Sequence, residues 1–237
     1  MAARLEELLG AQQAFVADAS HQLRTPLTAL RLRLENLESA APEQLRDDLT
    51  AAVDETSRLG RLVEGLLVVA RAEGARPERG VVDVAAKARE RASAWEPLAE
   101  ERGVRLAVEA GTTVPAMAVV GALEQILDNL LANALEVAPA GSAVTVGVSR
   151  RDRWAELHVI DEGPGLPAAD RVRAFDRFWR SAGSHDPHGS GLGLAIVRQL
   201  AVASGGEAEL REAVGGGVDA VIRLPAARIE HVSGDAS

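Results

Sequence analysis

The sequence predicts an α+β protein in two parts: a helical hairpin that pairs with a second copy into a four-helix bundle, then an α/β layer sandwich. Three observations predict it. Residues 16–70 carry two stripes of apolar or small side chains at alternating spacings of four and three, residues 73–80 are punctuated by Gly and Pro, and the rest alternates short β-like runs with helical stretches. At 237 residues the chain exceeds one average domain, and a composition 47% hydrophobic and 26% charged belongs to a folded protein.

The first stripe runs through Val16, Ser20, Leu23, Leu27, Leu30, Leu34 and Leu37; the second runs through Leu45, Leu49, Ala52, Thr56, Leu59, Val63, Leu66 and Ala70. Each has the spacing of a coiled-coil seam, and the Ala40-Ala41-Pro42 break between them makes an antiparallel hairpin. One seam per helix buries too little for a hairpin to stand alone, so a homodimer is expected. The competing structural reading packs both stripes against the rest of the same chain. The expected organisation is 1–72 hairpin, 73–80 linker, 81–226 sandwich and 227–237 flexible tail.

Past the linker, β-like runs fall at 81–84, 104–108, 144–148, 154–160, 207–210 and 218–224, and helical stretches at about 85–102, 119–137 and 192–204. Much of the β is spaced as hairpins, which favours a layer sandwich over a doubly wound sheet.

Composition excludes several functions. A net charge of −9 with no dense Lys/Arg cluster excludes nucleic acid as an expected partner. The absence of cysteine removes disulfides, thiolate metal sites and cysteine nucleophiles. No apolar run reaches the length of a membrane span. Lys87 is the only lysine, so a Walker A loop cannot exist, and no Gly-rich loop precedes Lys87 as a protein kinase would require.

Three elements can carry chemistry. Asn129 and Asn133 lie four apart on one face of an otherwise apolar helix. Their amide oxygens suit Mg²⁺, although such a pair is also an ordinary hydrogen-bonding device. Asp161-Glu-Gly163-Pro-Gly165 follows a strand: the carboxylate can accept from an exocyclic amine such as adenine's, and the glycines admit a flat base, although a plain turn fits equally well. Gly189-Ser-Gly191-Leu192-Gly193-Leu194 opens a helix, where unhindered N–H groups attract phosphate. Alone that run is weak, and no βαβ unit precedes it as a Rossmann site requires.

In that order, with Phe175-Asp-Arg177-Phe178-Trp-Arg180 between the second and third, the set resembles the N, G1, F and G2 boxes of the GHKL ATP-binding fold. Phe15-Val-Ala-Asp-Ala-Ser20-His21-Gln22-Leu-Arg-Thr25-Pro26-Leu27 resembles the H box of two-component sensor histidine kinases. The resemblance covers residues from about 5 to 225.

It implies ATP and Mg²⁺ as cofactors and His21 as phosphoacceptor. Asn129 and Asn133 would hold Mg²⁺ and phosphate oxygens, Asp161 would read adenine, and Gly163 and Gly165 would shape the base pocket. Gly189, Gly191 and Gly193, with Leu192 and Leu194 beside them, would embrace the phosphates, helped by Arg177 or Arg180. Residues 167–188 would form a mobile lid. Thr25, one turn from His21, matches the residue that helps dephosphorylate the partner, a response regulator receiver domain. The chain is then expected to be the cytoplasmic portion of a sensor that reaches the membrane only through further N-terminal segments.

Two positions depart from the pattern. Gln22 stands where the family has Glu or Asp. Its amide can orient the His21 imidazole but cannot take a proton or offset developing positive charge, so slow autophosphorylation is expected. Glu136 stands where Lys or Arg is usual, and Val137 where an aromatic is common. An acid there repels a triphosphate unless it turns away or helps hold a cation. A dimeric scaffold or regulator phosphatase with a weak or dead kinase is therefore the alternative. An ATP-driven clamp of the gyrase or chaperone type shares the nucleotide fold but does not account for the His21 segment.

Overall fold

The computed structural model describes residues 29, 30, 32–34, 36, 37, 41, 42, 45, 46, 48–53, 56, 60, 78–180 and 191–227. The chain divides into two compact units, one of Met1–Pro77 with Arg173–Gln199, the other of Glu78–Val172 with Leu200–Ser237.

In the second unit, β1 (Arg79–Asp83) leads into α1 (Val84–Glu101), followed by β2 (Arg105–Ala110), β3 (Pro115–Val119) and α2 (Ala122–Val137). Then come β4 (Ala143–Arg151), β5 (Trp154–Ile160) and α3 (Ala168–Arg173); in chain order α4 (Gly193–Ala203), whose residues through Gln199 are grouped with the first unit, precedes β6 (Glu207–Glu212) and β7 (Val218–Pro225). Five strands form one sheet in the order β2-β4-β5-β7-β6, parallel between β2 and β4 and antiparallel elsewhere, and β1 pairs antiparallel with β3 in a second, two-stranded sheet. The hairpins read from the sequence are β4-β5 and β6-β7.

The local reasons are simple. Asp83 ends β1 and caps α1, its Oδ1 accepting from Ala85 N and Val114 N, both at 3.0 Å. Period-two alternation turns Val144, Val146 and Val148 of β4, Ala155, Leu157 and Val159 of β5, and Ala220, Ile222 and Leu224 of β7 into the core. Helical periodicity does the same for Leu123, Ile126, Leu127, Leu130, Leu131 and Leu135 of α2. Burying each of these large side chains contributes about 1.5–3 kcal/mol.

The opposite sheet face is polar. Glu156 accepts from Arg223 Nε at 2.8 Å and pairs with Arg151, while His158 Nδ1 lies 3.0 Å from Asp219 Oδ1. Burial alone would raise the Glu156 carboxyl, but the Arg223 hydrogen bond and charge hold it below its ordinary value.

Two elements were not visible in the sequence. β3 reads Pro-Ala-Met-Ala-Val and has almost no β signal of its own. Its pairing with β1 makes it a strand, and the same pairing (Arg79↔Val119, Gly80↔Ala118) starts β1 inside the stretch 73–80 expected to be linker. The short α3 occupies the beginning of the expected lid.

In the first unit, helical residues between 29 and 37 and between 45 and 60 flank Ala41 and Pro42, where Leu45 N donates to Pro42 O at 2.9 Å. Of the seam positions described, Leu30, Leu37 and Leu45 are 47, 57 and 52% exposed, whereas Thr56 is buried and its Oγ1 donates to Ala52 O at 2.8 Å.

Candidate functional site

Asp161 leaves the end of β5 as a buried carboxylate, only 5% exposed. Its Oδ1 accepts from Gly163 N at 2.8 Å and Val218 N at 3.2 Å, and its own N donates to Val218 O at 3.0 Å. Burial pushes the acid above its ordinary value, and the N–H groups of Gly163 and Val218 partly oppose that.

Glycine is needed wherever backbone closes on this acid. A Cβ on Gly163 would stand 2.8 Å from Asp161 Oδ1 and 2.9 Å from Val137 Cγ2. Gly165 has φ +73 and lies against the backbone of Gly217. At Gly217, with φ +84, a Cβ would fall 2.0 Å from Asp161 O. Glu162 anchors the same loop from the other side, its Oε2 accepting from Ala143 N at 3.1 Å. Beside the loop lies a cavity of about 410 Å³ lined among others by Pro164, Leu166, Pro167, Arg171, Glu212 and Gly217.

The asparagine pair sits half-buried on α2. Asn129 Nδ2 donates to Gln125 O at 2.8 Å, which engages the amide nitrogen with the helix. The preceding residue fastens the helix: Asp128 Oδ1 accepts from Arg91 Nε and Trp95 Nε1 of α1, both at 2.8 Å. Exposed Glu136 follows Asn129 and Asn133 at i+7 and i+3, on the same stripe.

In the first unit, Leu192 O accepts from Ile196 N at 2.9 Å at the start of α4, whose first helical residue is Gly193. The Leu192 side chain is buried, and Leu194 is half-buried. Gly191 has a reason the sequence did not suggest. With φ +64, its Cβ would meet Trp179 O at 2.8 Å and Phe178 C and Cα at 2.9 Å, and its carbonyl accepts from Phe178 N at 2.9 Å. Phe178 itself has φ +63 and is 64% exposed. A bulky residue in the left-handed region is strained, and such strain concentrates at functional sites. Phe175 is buried under Arg198, 6.0 Å from its ring centroid, while Arg177 and Arg180 are exposed.

The second unit thus gathers Asp161, Gly163 and Gly165 into one cradle, and α2 aligns Asn129 with Asn133. His21, Gln22, Thr25 and Gly189 lie outside the described residues, as do residues 181–188 of the expected lid. Sequence reasoning missed Gly217 and the main chain of Val218, although Gly215-Gly216-Gly217 between two strands was a visible signal. All three glycines have positive φ. No group of three or more His, Asp or Glu among the described residues is placed to hold a metal ion.

Comparison with known proteins agrees with this layout. Residues 118–228 match the histidine kinase-, DNA gyrase B- and HSP90-like ATPase family, and residues 11–75 match the His Kinase A (phospho-acceptor) domain. Sensor protein IrlS of Burkholderia pseudomallei is 35% identical over 212 residues, covering 87% of this chain and 45% of the relative. The probable sensor histidine kinase TcrY of Mycobacterium tuberculosis is 37% identical over 217 residues, covering 89% and 45%. The chain therefore spans about half the length of the curated relatives it matches. Among solved structures, full-length ShkA in complex with AMPPNP is 31% identical with a TM-score of 0.70, covering 91% of this chain and 46% of that one. The mycobacterial sensor histidine kinase MprB is 30% identical with a TM-score of 0.55, covering 64% of this chain and 100% of that one. With the phosphoacceptor-domain match, the ATPase-domain match and the Asp161 cradle all present in one chain, the protein belongs to the two-component sensor histidine kinases.

Proposed function

We propose that the chain binds ATP with Asp161 reading the adenine amine, transfers the γ-phosphoryl group to His21, and passes it to an aspartate of a response regulator receiver domain. The Asp161 cradle carries this reading. Both N–H groups end on Oδ1, which supports Oδ2 as the acceptor for the incoming amine. A carboxylate held this way is preorganised and already desolvated, so a base pays little to engage it. Asn129 and Asn133 fit Mg²⁺ by donor type, and the hydrogen bond of Asn129 Nδ2 to Gln125 O is compatible with its oxygen serving as the ligand; when bound, the ion would neutralise phosphate charge. Gly189, Gly191 and Gly193, with the main chain at Leu192 and Leu194, would hold phosphate oxygens at the positive end of α4, with Arg177 or Arg180 beside them.

The phosphoryl group leaves ADP and bonds to one imidazole nitrogen of His21, while Gln22 orients the other. Without a carboxylate at position 22 the step is slow. The exposed seam leucines Leu30, Leu37 and Leu45 support a homodimer through the hairpin helices. We read the chain as the cytoplasmic portion of a membrane-anchored sensor; the relatives are named sensors, and the chain spans about half their length. Among the described residues no helix is long and apolar enough to cross a membrane.

Gln22 and Glu136 favour a second reading, a dimeric scaffold or regulator phosphatase acting through Thr25 with a silent kinase. One experiment separates the two. Incubation with γ-labelled ATP and Mg²⁺ should give acid-labile, base-stable label on the wild type and none on His21→Gln, and Gln22→Glu should raise the rate at least about tenfold. No label on either wild type or Gln22→Glu would leave only the scaffold.

A further inference from the structure

We propose that Arg171 is a positioning residue that sets base specificity by bracing the loop that holds Asp161. The inference rests on the reading of Asp161 as the adenine acceptor. Arg171 lies on α3, just past that loop, and its side chain is only 20% exposed. Its Nη1 donates to Leu166 O at 3.0 Å and pairs with Glu212 Oε2 at 3.4 Å.

Both partners, and Arg171 itself, line the 410 Å³ cavity beside the loop. Leu166 follows Gly165, whose backbone abuts Gly217. Glu212 ends β6 in register with Val218, the residue whose N–H reaches Asp161 Oδ1. A ring of contacts therefore runs from Asp161 through Val218, Glu212, Arg171, Leu166 and Gly165 to Gly217 and back to Asp161. Arg171 is its one cationic member, and it joins Glu212 to Leu166.

A cavity beside a glycine-rich loop leaves that loop with less packing on one flank, so the hydrogen bond from Arg171 to the Leu166 carbonyl weighs more in fixing its position. Because Glu212 is 73% exposed, the screened ion pair contributes less than the bond to the Leu166 carbonyl. With the guanidinium removed, Gly165 and Gly217 can separate, and the N–H groups that orient Asp161 shift with them. The phosphate contacts proposed above use residues outside this ring and are therefore expected to survive its loss.

The test uses the full chain and three probes: Mg²⁺-ATP, the triphosphate of purine riboside, which lacks only the exocyclic amine, and tripolyphosphate. The wild type should prefer ATP over the purine analogue by about tenfold or more. Arg171→Met should weaken ATP by about tenfold and erase most of that preference, while leaving tripolyphosphate affinity within about twofold. Arg171→Lys should recover part of the preference, and Glu212→Gln should change it less than Arg171→Met. Unchanged discrimination in Arg171→Met and Arg171→Lys would overturn the inference, as would parallel loss of ATP and tripolyphosphate with a lowered melting temperature. A wild type that does not discriminate would instead overturn the Asp161 reading itself. Should Arg171→Met fail to fold, Arg171→Lys and Glu212→Gln still decide the point, because a purely structural brace would leave their discrimination at the wild-type value.

Discussion

Glycine serves opposite purposes in the loop after β5 and in the turn before α4. In the first, Gly163, Gly165 and Gly217 let backbone close around one carboxylate, and every close approach ends on Asp161 or on a neighbouring glycine or valine. In the second, Gly191 makes room for Phe178 and Trp179, and the strained residue is the phenylalanine, not the glycine. The first region is relaxed in backbone and strained in electrostatics, since its cost is a buried charge. The second bears its cost in φ and leaves its large side chain exposed. A sequence shows the same letter at both places; only the neighbours tell a loop closed on a buried carboxylate from a backbone held under tension.

The sharpest way to break the comparison is Gly217→Ala. Its Cβ would fall 2.0 Å from a main-chain oxygen at φ +84, so the backbone of β7 must shift. We expect a loss of more than about 3 kcal/mol in chemical denaturation, together with loss of nucleotide binding. Wild-type stability would mean that the β6-β7 turn does not hold Asp161.

Phe178 sharpens the other half with a smaller effect. At an ordinary position alanine is more stable than glycine, by about 0.5–1 kcal/mol in helices and strands. At φ +63 the order should reverse, Phe178→Gly exceeding Phe178→Ala by about 1 kcal/mol in matched urea melts. The ordinary order would show that the residue relaxes out of the left-handed region.

Much of this was legible in the residues. The α2 stripe, the Asp161-Glu-Gly163-Pro-Gly165 turn and the helix after Gly193 could be placed because periodicity and punctuation are local signals. β3 could not, because Pro115-Ala116-Met117-Ala118-Val119 becomes a strand only by pairing with β1. Gly191 was legible as a glycine that phosphate could approach, but its steric reason depends on the backbone of Phe178, thirteen positions earlier. The Arg171 brace was hidden for the same reason, since Glu212 is forty-one positions away along the chain. Local chemistry can be read from sequence; the groups that hold it in place come from elsewhere in the chain.

Asp161→Asn tests the central claim most directly. The amide keeps Oδ1 for Gly163 and Val218 but replaces Oδ2 with a donor, which cannot accept from an amine. Burial raises the native acid above its usual 3.8, so ionisation favours the unfolded chain. The wild type should therefore lose stability relative to Asp161→Asn as pH rises from about 3.8 through that raised value, and the difference should stop changing with pH below about 3.8. Calorimetry at pH 7 should give ATP affinity about 10- to 150-fold weaker for Asp161→Asn, with unfolding stability equal to or above the wild type. Unchanged ATP affinity, or a variant less stable than the wild type at pH 7, would contradict the account.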